Sequence, residues 1–468
     1  MDKLERRIDE WMERHLPEML THIKELIRIP SIAKNAPGTE HPFGDGCADA
    51  LDYILSLAET LGFSTRNYDY YGGSARLPGR TERTIGFFAH LDTTPAGAMW
   101  TFQPFDPVVR DGYIIGRGAE DNKGAAVTIL YMLRCLRDLE ILLDHTILVV
   151  FGCGKKSRME DMDHFLLCEP APDLSLIADA NFPVCTGEKG SLNFELSCPS
   201  GGRLIDFHAG LAESMVPHQA FALLDGVSYE EARKCLEQDT RCSIVPAGPY
   251  VKIAAGGLGG HAAFPEKTHS PIPVLASVLL DNGLADGDCA HALRYLRDAY
   301  ETCYGAPFDL DVRDETYGYT THVCGMVRMR GGVLYQTVNV RYIPPVDAET
   351  AERLTRRAAE RAGMVYRKLS NTPPRTLEPQ MQPIAAMLTS ISNRVTGRHL
   401  HEYTMGGGTY AKKLPNALPF GPNRSDLPMP FGEGRGYGHL PDEVMRIENL
   451  TDGLKVYVLS LMRLDPLV

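Results

Sequence analysis

The sequence of 468 residues contains no long apolar run and no apolar stretch at its N-terminus. A transmembrane helix needs about 20 consecutive apolar residues, and no segment of this chain comes close to that length. The chain begins Met1-Asp2-Lys3-Leu4-Glu5, whereas a signal peptide carries an apolar core near its start. We therefore expect a cytoplasmic protein that has no membrane partner.

The sequence also lacks a CxxC pair, although it contains 11 cysteines. Their number is odd and their positions are scattered, and Cys135, Cys168 and Cys198 lie among apolar residues. A disulfide framework is typical of short secreted chains with an even number of cysteines. Buried, reduced thiols are the simpler interpretation, and they argue against a disulfide-stabilised secreted domain.

An excess of basic residues is missing as well. Lys and Arg total 48 against 60 Asp and Glu, which gives a formal net charge of -12. Non-specific binding to nucleic acid depends on basic surfaces, so we expect no nucleic-acid partner. Hydrophobic residues make up 44% of the chain and charged residues 23%, and this balance excludes disordered and fibrous proteins.

Helix-like and strand-like segments alternate over residues 3–178. Apolar residues at three- and four-residue spacing over 3–28 predict an amphipathic helix, which Pro30 ends. The alternation predicts an α/β domain whose sheet is partly parallel. The other predicted elements are helices over 46–62 and 123–136 and strands over 84–89, 146–151 and 174–178.

The pattern changes after Gly190. Residues 191–380 contain no second copy of the first pattern, and helical periodicity returns from about residue 383. The simplest account is one domain in two pieces, with a second domain inserted between them. The predicted elements here are a strand over 333–342 and helices near 271–283, 348–362 and 449–464.

We therefore expect a fold of the α/β class. A two-piece catalytic-type domain covers 1–187 and 381–468, and its central mixed sheet is flanked by helices. An inserted lid domain of α+β type covers 188–380. These domain boundaries are predicted from the change in the pattern of helices and strands along the chain.

Polar side chains follow two of the predicted strands. His90 and Asp92 follow one strand, Asp179 follows another, and Asp121 and His439 lie in glycine-rich phrases elsewhere. In open α/β sheets, sites form beyond the carboxyl ends of the strands. Two histidines and several aspartates brought together would make a nitrogen and oxygen site suited to zinc or manganese, with Asp92 orienting the imidazole of His90. Taken singly, a histidine at a strand end is more often structural than a ligand.

A series of short phrases runs through the chain in one order: PFG (42–44), FAHLDTTP (88–95), GRGAEDNKG (116–124), DANFP (179–183), GEKG (187–190), NVRY (339–342) and GGGTYA (406–411). This series resembles the dinuclear metallopeptidase family of aminoacylase, glutamate carboxypeptidase and carnosinase. The likeness covers essentially the whole chain and is greatest to the bacterial branch of PepV-type and Mn-dependent dipeptidases. The resemblance implies hydrolysis of dipeptides or similar short amides, with a short peptide as partner.

The resemblance also implies a role for each matching residue. Asp121 would bridge two metals, and His90 and Asp179 would complete the first metal site. His439 and a Glu on another loop would complete the second site. That Glu, and a preceding Glu that acts as general base, are expected after the strand ending at Phe151. In such a site the metals polarise the scissile carbonyl and acidify a water, and the base takes its proton.

The inserted domain resembles the lid of this family. The likeness assigns His261 to the oxyanion of the reaction and Arg341 to the substrate. Gly407 and Gly408 would offer backbone amides to the carboxylate of the substrate. These four residues are retained in the sequence, so the resemblance implies that recognition of a short peptide survives.

The sequence departs from the family pattern directly after Phe151. The loop over 152–158 reads GCGKKSR, so Lys155 stands at the position of the general base and Lys156 at that of the second-metal ligand. An ammonium can neither accept a proton nor bind a cation, and it repels both metals. Lys155 could act as a base only with a strongly depressed pKa, which neighbouring aspartates oppose.

Two interpretations of this loop remain open. Either Lys156 replaces the second metal electrostatically, or the loop is remodelled and both lysines point into solvent. We expect at most one ion, zinc or manganese, on His90, Asp121 and Asp179, and impaired hydrolysis. Three kinds of function remain: a one-metal hydrolase, a non-catalytic peptide-binding protein, or a scaffold or subunit for an active relative. The oligomeric state stays open.

Overall fold

The structure is a computed structural model that describes residues 3–237, 239–424 and 426–468. The chain divides into two compact units. Among the helices of these described ranges, none is both long and apolar enough to cross a membrane. The first unit comprises Met1–Thr186, Leu377–Tyr403 and Thr409–Val468, and the second comprises Gly187–Thr376 and Thr404–Gly408.

A six-stranded mixed sheet forms the centre of the first unit. Its central strand, Thr84–His90, pairs in parallel with the strands on both sides of it. Two antiparallel strands extend one edge, and a further parallel strand forms the other. The partly parallel sheet expected from the sequence is confirmed. In spatial order the strands are Ser64–Tyr68, Gly72–Leu77, Thr146–Gly152, Thr84–His90, Leu174–Ile177 and Ala417–Pro419.

Helices cover both faces of this sheet. Successive side chains of a strand point to opposite faces, so Phe87 packs with one buried cluster and Phe88 with another. The Phe88 face is covered by the short helix Glu160–Cys168, which contributes Phe165. The Phe87 face is covered by the helices Lys3–Arg28, Asp45–Thr60, Gly124–Asp138, Gln382–Thr396 and Ile447–Leu464.

The amphipathic helix predicted over 3–28 is confirmed at both ends. Its Ile8, Trp11 and Ile23 are buried in the core, as the three- and four-residue spacing predicts. The bounds of the other elements predicted from the sequence agree with the structure to within two residues. This unit also contains a small antiparallel sheet with the strands Val108–Arg110, Tyr113–Ile115 and Val444–Arg446.

The second unit is an α+β structure built on an eight-stranded antiparallel sheet. Its buried side chains form a separate hydrophobic core. The strands, in spatial order, are Cys242–Ala247, Tyr250–Gly256, Gln219–Leu224, Leu204–Ala209, Thr321–Arg330, Val333–Arg341, Ser191–Pro199 and Val365–Thr372. The helices are Tyr229–Cys235, Pro271–Asp281, Gly287–Ala299 and Ala348–Arg361.

Residues 404–408 belong to the second unit, although they lie within the range 381–468 that the sequence assigned to the first. The N–H of Lys189 donates to the carbonyl oxygen of Met405 over 2.9 Å. A Cβ atom on Gly406 would lie 2.3 Å from the carbonyl oxygen of Ala263, so only glycine fits at this approach. These contacts join the glycine-rich segment 404–408 to the rest of the second unit.

All 11 cysteines are free thiols, and seven of them are buried. No disulfide occurs within the described ranges of the chain, which agrees with the expectation from the sequence. Cys135 and Cys198 are buried as predicted, whereas Cys168 is only half-buried. Cys168 is the last residue of the helix Glu160–Cys168, and a helix end is less enclosed than a helix centre.

Candidate functional site

Parallel strands place the predicted site residues at one edge of the first sheet. His90 is the last residue of the central strand, and Asp179 and the lysine loop 154–157 follow the two neighbouring strands. Asp121 lies in the turn before the helix Gly124–Asp138. Since parallel strands end at the same edge of a sheet, these side chains meet there.

Asn122 links the turn of Asp121 to two of these strand ends. Its side-chain Oδ1 accepts the N–H of His90 over 3.1 Å, and its Nδ2 donates to the carbonyl oxygen of Ala178 over 2.8 Å. Asn122 is fully buried, where unsatisfied amides are costly. Both bonds therefore fix the position of Asp121 relative to the sheet.

The structure brings together the three residues predicted for the first metal position. The Nε2 atom of His90 lies 2.9 Å from Oδ1 of Asp121 and 3.7 Å from Oδ1 of Asp179. The Nδ1 atom of His90 donates to the backbone oxygen of Asp92 over 2.9 Å. The ring is therefore oriented with Nε2 towards the two aspartates.

The Lys156 ammonium lies between the two other residues predicted to hold the second metal. Its Nζ is 2.6 Å from Oδ2 of Asp121 and 3.1 Å from Nε2 of His439. The same two ligand atoms, Oδ2 of Asp121 and Nε2 of His439, are 2.7 Å apart. The position that the resemblance assigns to an ion is thus filled by a protein cation.

Lys155 faces the first group of ligands. Its Nζ lies 2.9 Å from Oδ2 of Asp179 and 4.0 Å from Oδ1 of Asp121. The side chain of Lys155 is 15% exposed and that of Lys156 is 13% exposed. The interpretation in which the loop is remodelled and both lysines point into solvent is wrong, because Asp179 and Asp121, whose side chains are 9% and 15% exposed, pair with the two ammoniums.

Asp92 fixes the backbone of the lysine loop. Its Oδ1 accepts the N–H of Lys155 over 3.2 Å, and its Oδ2 accepts the N–H of Lys156 over 2.6 Å. Its Oδ1 also lies 3.3 Å from Nδ1 of His90. One carboxylate therefore contacts both the imidazole, as the sequence suggested, and the loop, which the sequence did not indicate.

A second buried acid, Asp161, accepts the N–H of Gly154 over 2.8 Å.

The carboxylates of the site favour the charged form of His90. Burial and the Lys156 ammonium lower the pKa of His90, but hydrogen bonds to its aspartate neighbours outweigh both and raise it to about 10. Three cationic side chains thus face three carboxylates, of which one is fully buried and two are 9% and 15% exposed. They are His90, Lys155 and Lys156 against Asp92, Asp121 and Asp179.

The pKa shifts of the acids follow from these contacts. Burial raises the pKa of Asp121, yet the ammoniums of Lys156 and Lys155 hold it well below its usual range. Burial also raises the pKa of Asp179, but the Lys155 ammonium outweighs this effect and lowers the pKa below its ordinary value. Burial and Lys156 lower the pKa of His439 to about 4. His439 is therefore neutral near pH 7, and its Nε2 lies within hydrogen-bond distance of both Lys156 Nζ and Asp121 Oδ2.

Comparison with known proteins identifies the family of this arrangement. The family model described as "Peptidase family M20/M25/M40" matches residues 86–463. The chain belongs to this peptidase family.

This chain resembles known relatives and solved structures over nearly its whole length. The Beta-Ala-Xaa dipeptidase of Lactobacillus delbrueckii subsp. lactis is 26% identical over 461 residues, which cover 95% of this chain and 96% of that protein. Human carnosine dipeptidase 1 aligns with a TM-score of 0.64 at 16% identity, covering 100% of both chains. The dipeptidase Dug1p of Saccharomyces cerevisiae aligns with a TM-score of 0.64 at 13% identity, and the alignment covers 100% of this chain and 99% of that chain. These structures share the fold of the present chain.

The side chains of this M20 chain offer a group of metal ligands at the first position and an ammonium at the second. His90, Asp121 and Asp179 each offer a ligand atom, and these atoms lie within 4.8 Å of one another. At the second position, Lys156 stands between Asp121 and His439, and an ammonium cannot be a metal ligand. A second ion would have to displace that side chain.

A buried ion pair that the sequence did not reveal supports the Asp121 turn. Arg117 Nη1 lies 2.6 Å from Oε2 of Glu443, and both side chains are enclosed. Oε1 of Glu443 accepts the backbone N–H groups of Gly118, Glu120 and Asp121 over 3.1, 2.9 and 3.0 Å. The sequence signal for this ion pair was Glu443 itself, which lies four residues after His439. Only the histidine of that segment was assigned a role from the sequence.

Glu120 is a second acid that the sequence reasoning left without a role. Burial and the carboxylates of Glu443 and Asp121 raise its pKa to about 8, against the opposing effect of the Gly438 N–H. The carboxyl group is thus largely neutral near pH 7. It adds a hydrogen-bonding group beside Asp121 without adding a full negative charge.

The predicted substrate residues lie in the second unit. The Nδ1 atom of His261 accepts the N–H of Ala263 over 3.0 Å. Since Nδ1 is the acceptor, Nε2 of a neutral ring carries the proton and is a donor. Arg341 is buried, donates from Nε to Oδ1 of Asn339 over 2.8 Å, and has a pKa that burial lowers to about 10. Gly407 lies in the glycine-rich segment, where a Cβ would meet only the Met405 side chain.

Proposed function

We propose that this M20 family member binds dipeptides or similar short amides and hydrolyses them very slowly or not at all. The observation that carries the proposal is the 2.6 Å contact between Nζ of Lys156 and Oδ2 of Asp121. It replaces a metal ion by a protein cation at the position that the family resemblance assigns to the second ion. The site then keeps its charge balance but loses one of its two Lewis acids.

The base position supports the same conclusion. Lys155 is paired with Asp179 over 2.9 Å. Burial lowers the pKa of Lys155, but Asp179 and Asp121 more than compensate and raise it above its ordinary value. A protonated amine cannot take a proton from water. Loss of a general base alone removes about 10²–10⁴-fold in rate, and loss of a metal adds to that.

At most one divalent ion is part of the proposal, and the ligands suggest zinc or manganese. When bound by His90, Asp121 and Asp179, that ion would supply a Lewis acid for a carbonyl oxygen. His90 must lose its proton before its Nε2 can bind the ion, and Lys155 remains beside the same carboxylates. Both effects weaken metal binding relative to a site with a Glu-Glu pair.

We expect metal analysis with manganese to give one equivalent or less at this position. The purified chain is dialysed against Mn²⁺ and then against metal-free buffer, and its manganese content is measured. Asp121→Asn is measured in parallel, and the difference between the two proteins counts the ions that depend on Asp121. A difference of two equivalents would contradict the proposal.

Peptide recognition rests on the residues of the second unit. By the resemblance, His261, Arg341 and the amides of Gly407 and Gly408 recognise the peptide, and the second unit acts as a lid. The buried, charged Arg341 guanidinium suits a carboxylate, because fork geometry and low local dielectric strengthen such pairs. Mobile domains often close on substrates, so closure here would serve binding.

Calorimetry with a panel of dipeptides tests this function, with and without Mn²⁺, alongside a hydrolysis assay on the same peptides. We expect measurable binding and little or no product. Arg341→Met should weaken binding by about 1.5–3 kcal/mol if its hydrogen bonds to a carboxylate are lost. The matched control is Arg330→Met, an exposed arginine at the end of a neighbouring strand, which should bind as the parent does.

Each outcome assigns the protein to one kind of function. No binding by any dipeptide, in a folded sample, would favour a scaffold or a subunit for an active relative. Rapid hydrolysis with one bound ion would favour a one-metal hydrolase. A cytoplasmic location is likewise a prediction.

A further inference from the structure

A second group of potential metal ligands lies on other elements of the first unit. His164 and Cys168 are four residues apart on the helix Glu160–Cys168, so they lie on one face of it. Asp69 is in the turn between the strands Ser64–Tyr68 and Gly72–Leu77. The three residues belong to neither the His90 group nor the lysine loop, and the proposed function does not use them.

The turn and a stacked ring direct these side chains towards one another. Asp69 has a φ of +50°, a backbone conformation that aspartate tolerates better than most residues, and the Asn67 side chain accepts the N–H of Tyr70 over 2.8 Å. The His164 ring stacks on Tyr71 with centroids 4.1 Å apart and planes at 14°. This stacking fixes the plane in which His164 presents its nitrogens.

The distances match those between ligands of one tetrahedral ion. His164 Nε2 lies 3.0 Å from Oδ2 of Asp69 and 3.6 Å from Sγ of Cys168, and the three ligand atoms lie within 4.8 Å of one another. With bonds of about 2.0–2.1 Å to nitrogen and about 2.3 Å to sulfur, zinc holds those two ligands about 3.5 Å apart. Small side-chain adjustments would therefore admit an ion.

We infer that Asp69, His164 and Cys168 form a second, independent site for a zinc-type ion. A thiolate, an imidazole and a carboxylate favour zinc over manganese, magnesium or calcium, which prefer oxygen ligands. Three protein ligands leave a fourth position for water or a small ligand. Asp69 and His164 also line a cavity of about 590 Å³, together with Thr39, Glu40 and Tyr70.

Titration of the full-length, reduced protein with Co²⁺ tests the site. A thiolate bound to Co²⁺ gives a near-ultraviolet charge-transfer band, and the His90 group contains no thiol, so an ion there adds nothing to this band. We expect the band to saturate at an intensity that corresponds to one thiolate-bound Co²⁺ per chain, and to disappear when Zn²⁺ is added. Cys168→Ser should abolish the band. Asp69→Asn should weaken Co²⁺ binding at least about 10-fold, because mutating even a residue that only hydrogen-bonds to a metal ligand lowers metal affinity by about that factor.

Two controls separate this site from general thiol binding and from misfolding. Cys235→Ser removes an exposed cysteine on another helix and should leave the band unchanged. Circular dichroism of each variant should match the parent. An absent band in the parent at excess Co²⁺, or an equal band in the folded Cys168→Ser variant, would overturn the inference. In that case the three side chains form only a hydrogen-bonded surface cluster.

Discussion

Replacing both lysines by glutamate, Lys155→Glu with Lys156→Glu, should raise dipeptide hydrolysis in Mn²⁺ at least about 10²-fold over the parent. The double variant restores a carboxylate at the base position and another at the second-metal position. A positioned general base contributes about 10²–10⁴-fold, and a second Lewis acid adds to it. The backbone of the loop should keep its place, because Asp92 holds it through N–H groups that the substitution retains.

The same variant should also become dependent on metal for its stability. Two ammoniums become two carboxylates beside Asp121 and Asp179, and buried like charges are costly without cations. We expect its melting temperature to fall in chelator and to rise with added Mn²⁺, while that of the parent changes little. The charge-matched control is Lys234→Glu with Lys267→Glu, two exposed lysines. A parent that already hydrolyses dipeptides as fast as the double variant would show that another group supplies the base.

Removing the Lys156 ammonium alone, by Lys156→Met, should destabilise the metal-free protein by about 3 kcal/mol. Breaking a buried ion pair by removing one partner typically costs about 3–5 kcal/mol, because the other charge stays buried and uncompensated. We expect the low end of that range because His90 and Lys155 still face Asp121. The measurement is the free energy of unfolding in urea, in the presence of chelator.

Lys413→Met is the matched control for this change. Lys413 pairs with Asp163, whose side chain is 55% exposed, and exposed pairs contribute about 0–1 kcal/mol. Its effect should therefore stay below about 1 kcal/mol. An equally small effect for Lys156→Met would mean that the ammonium does not balance the charge of Asp121.

Local patterns in the sequence were enough to predict most of the fold. The spacing of Ile8, Trp11 and Ile23 marked the first helix because a single stripe of that helix is buried. The apolar runs ending at Ala89 and Phe151 marked central strands because helices cover both faces of a parallel sheet. The affiliation of residues 404–408 was not predictable in this way. It depends on the close approach of Gly406 to Ala263, a contact between distant parts of the chain.

The sequence predicted which residues form the metal-ligand group, but not the direction of the two lysine side chains. Resemblance singled out His90, Asp121 and Asp179, which the structure brings together. It left the direction of Lys155 and Lys156 open, because lysine is usually exposed. Their inward direction follows from the two N–H groups that Asp92 accepts. A carboxylate that binds backbone groups leaves no spacing pattern in a sequence.

The central claim is that the Lys156 ammonium, not a metal ion, lies between Asp121 and His439. Anomalous X-ray diffraction from crystals grown in Mn²⁺ tests this most directly, because it shows where manganese is bound. The account predicts no anomalous peak between Oδ2 of Asp121 and Nε2 of His439, with Lys156 Nζ in contact with both atoms. An anomalous peak at bonding distance from both atoms, with Lys156 turned away, would contradict it.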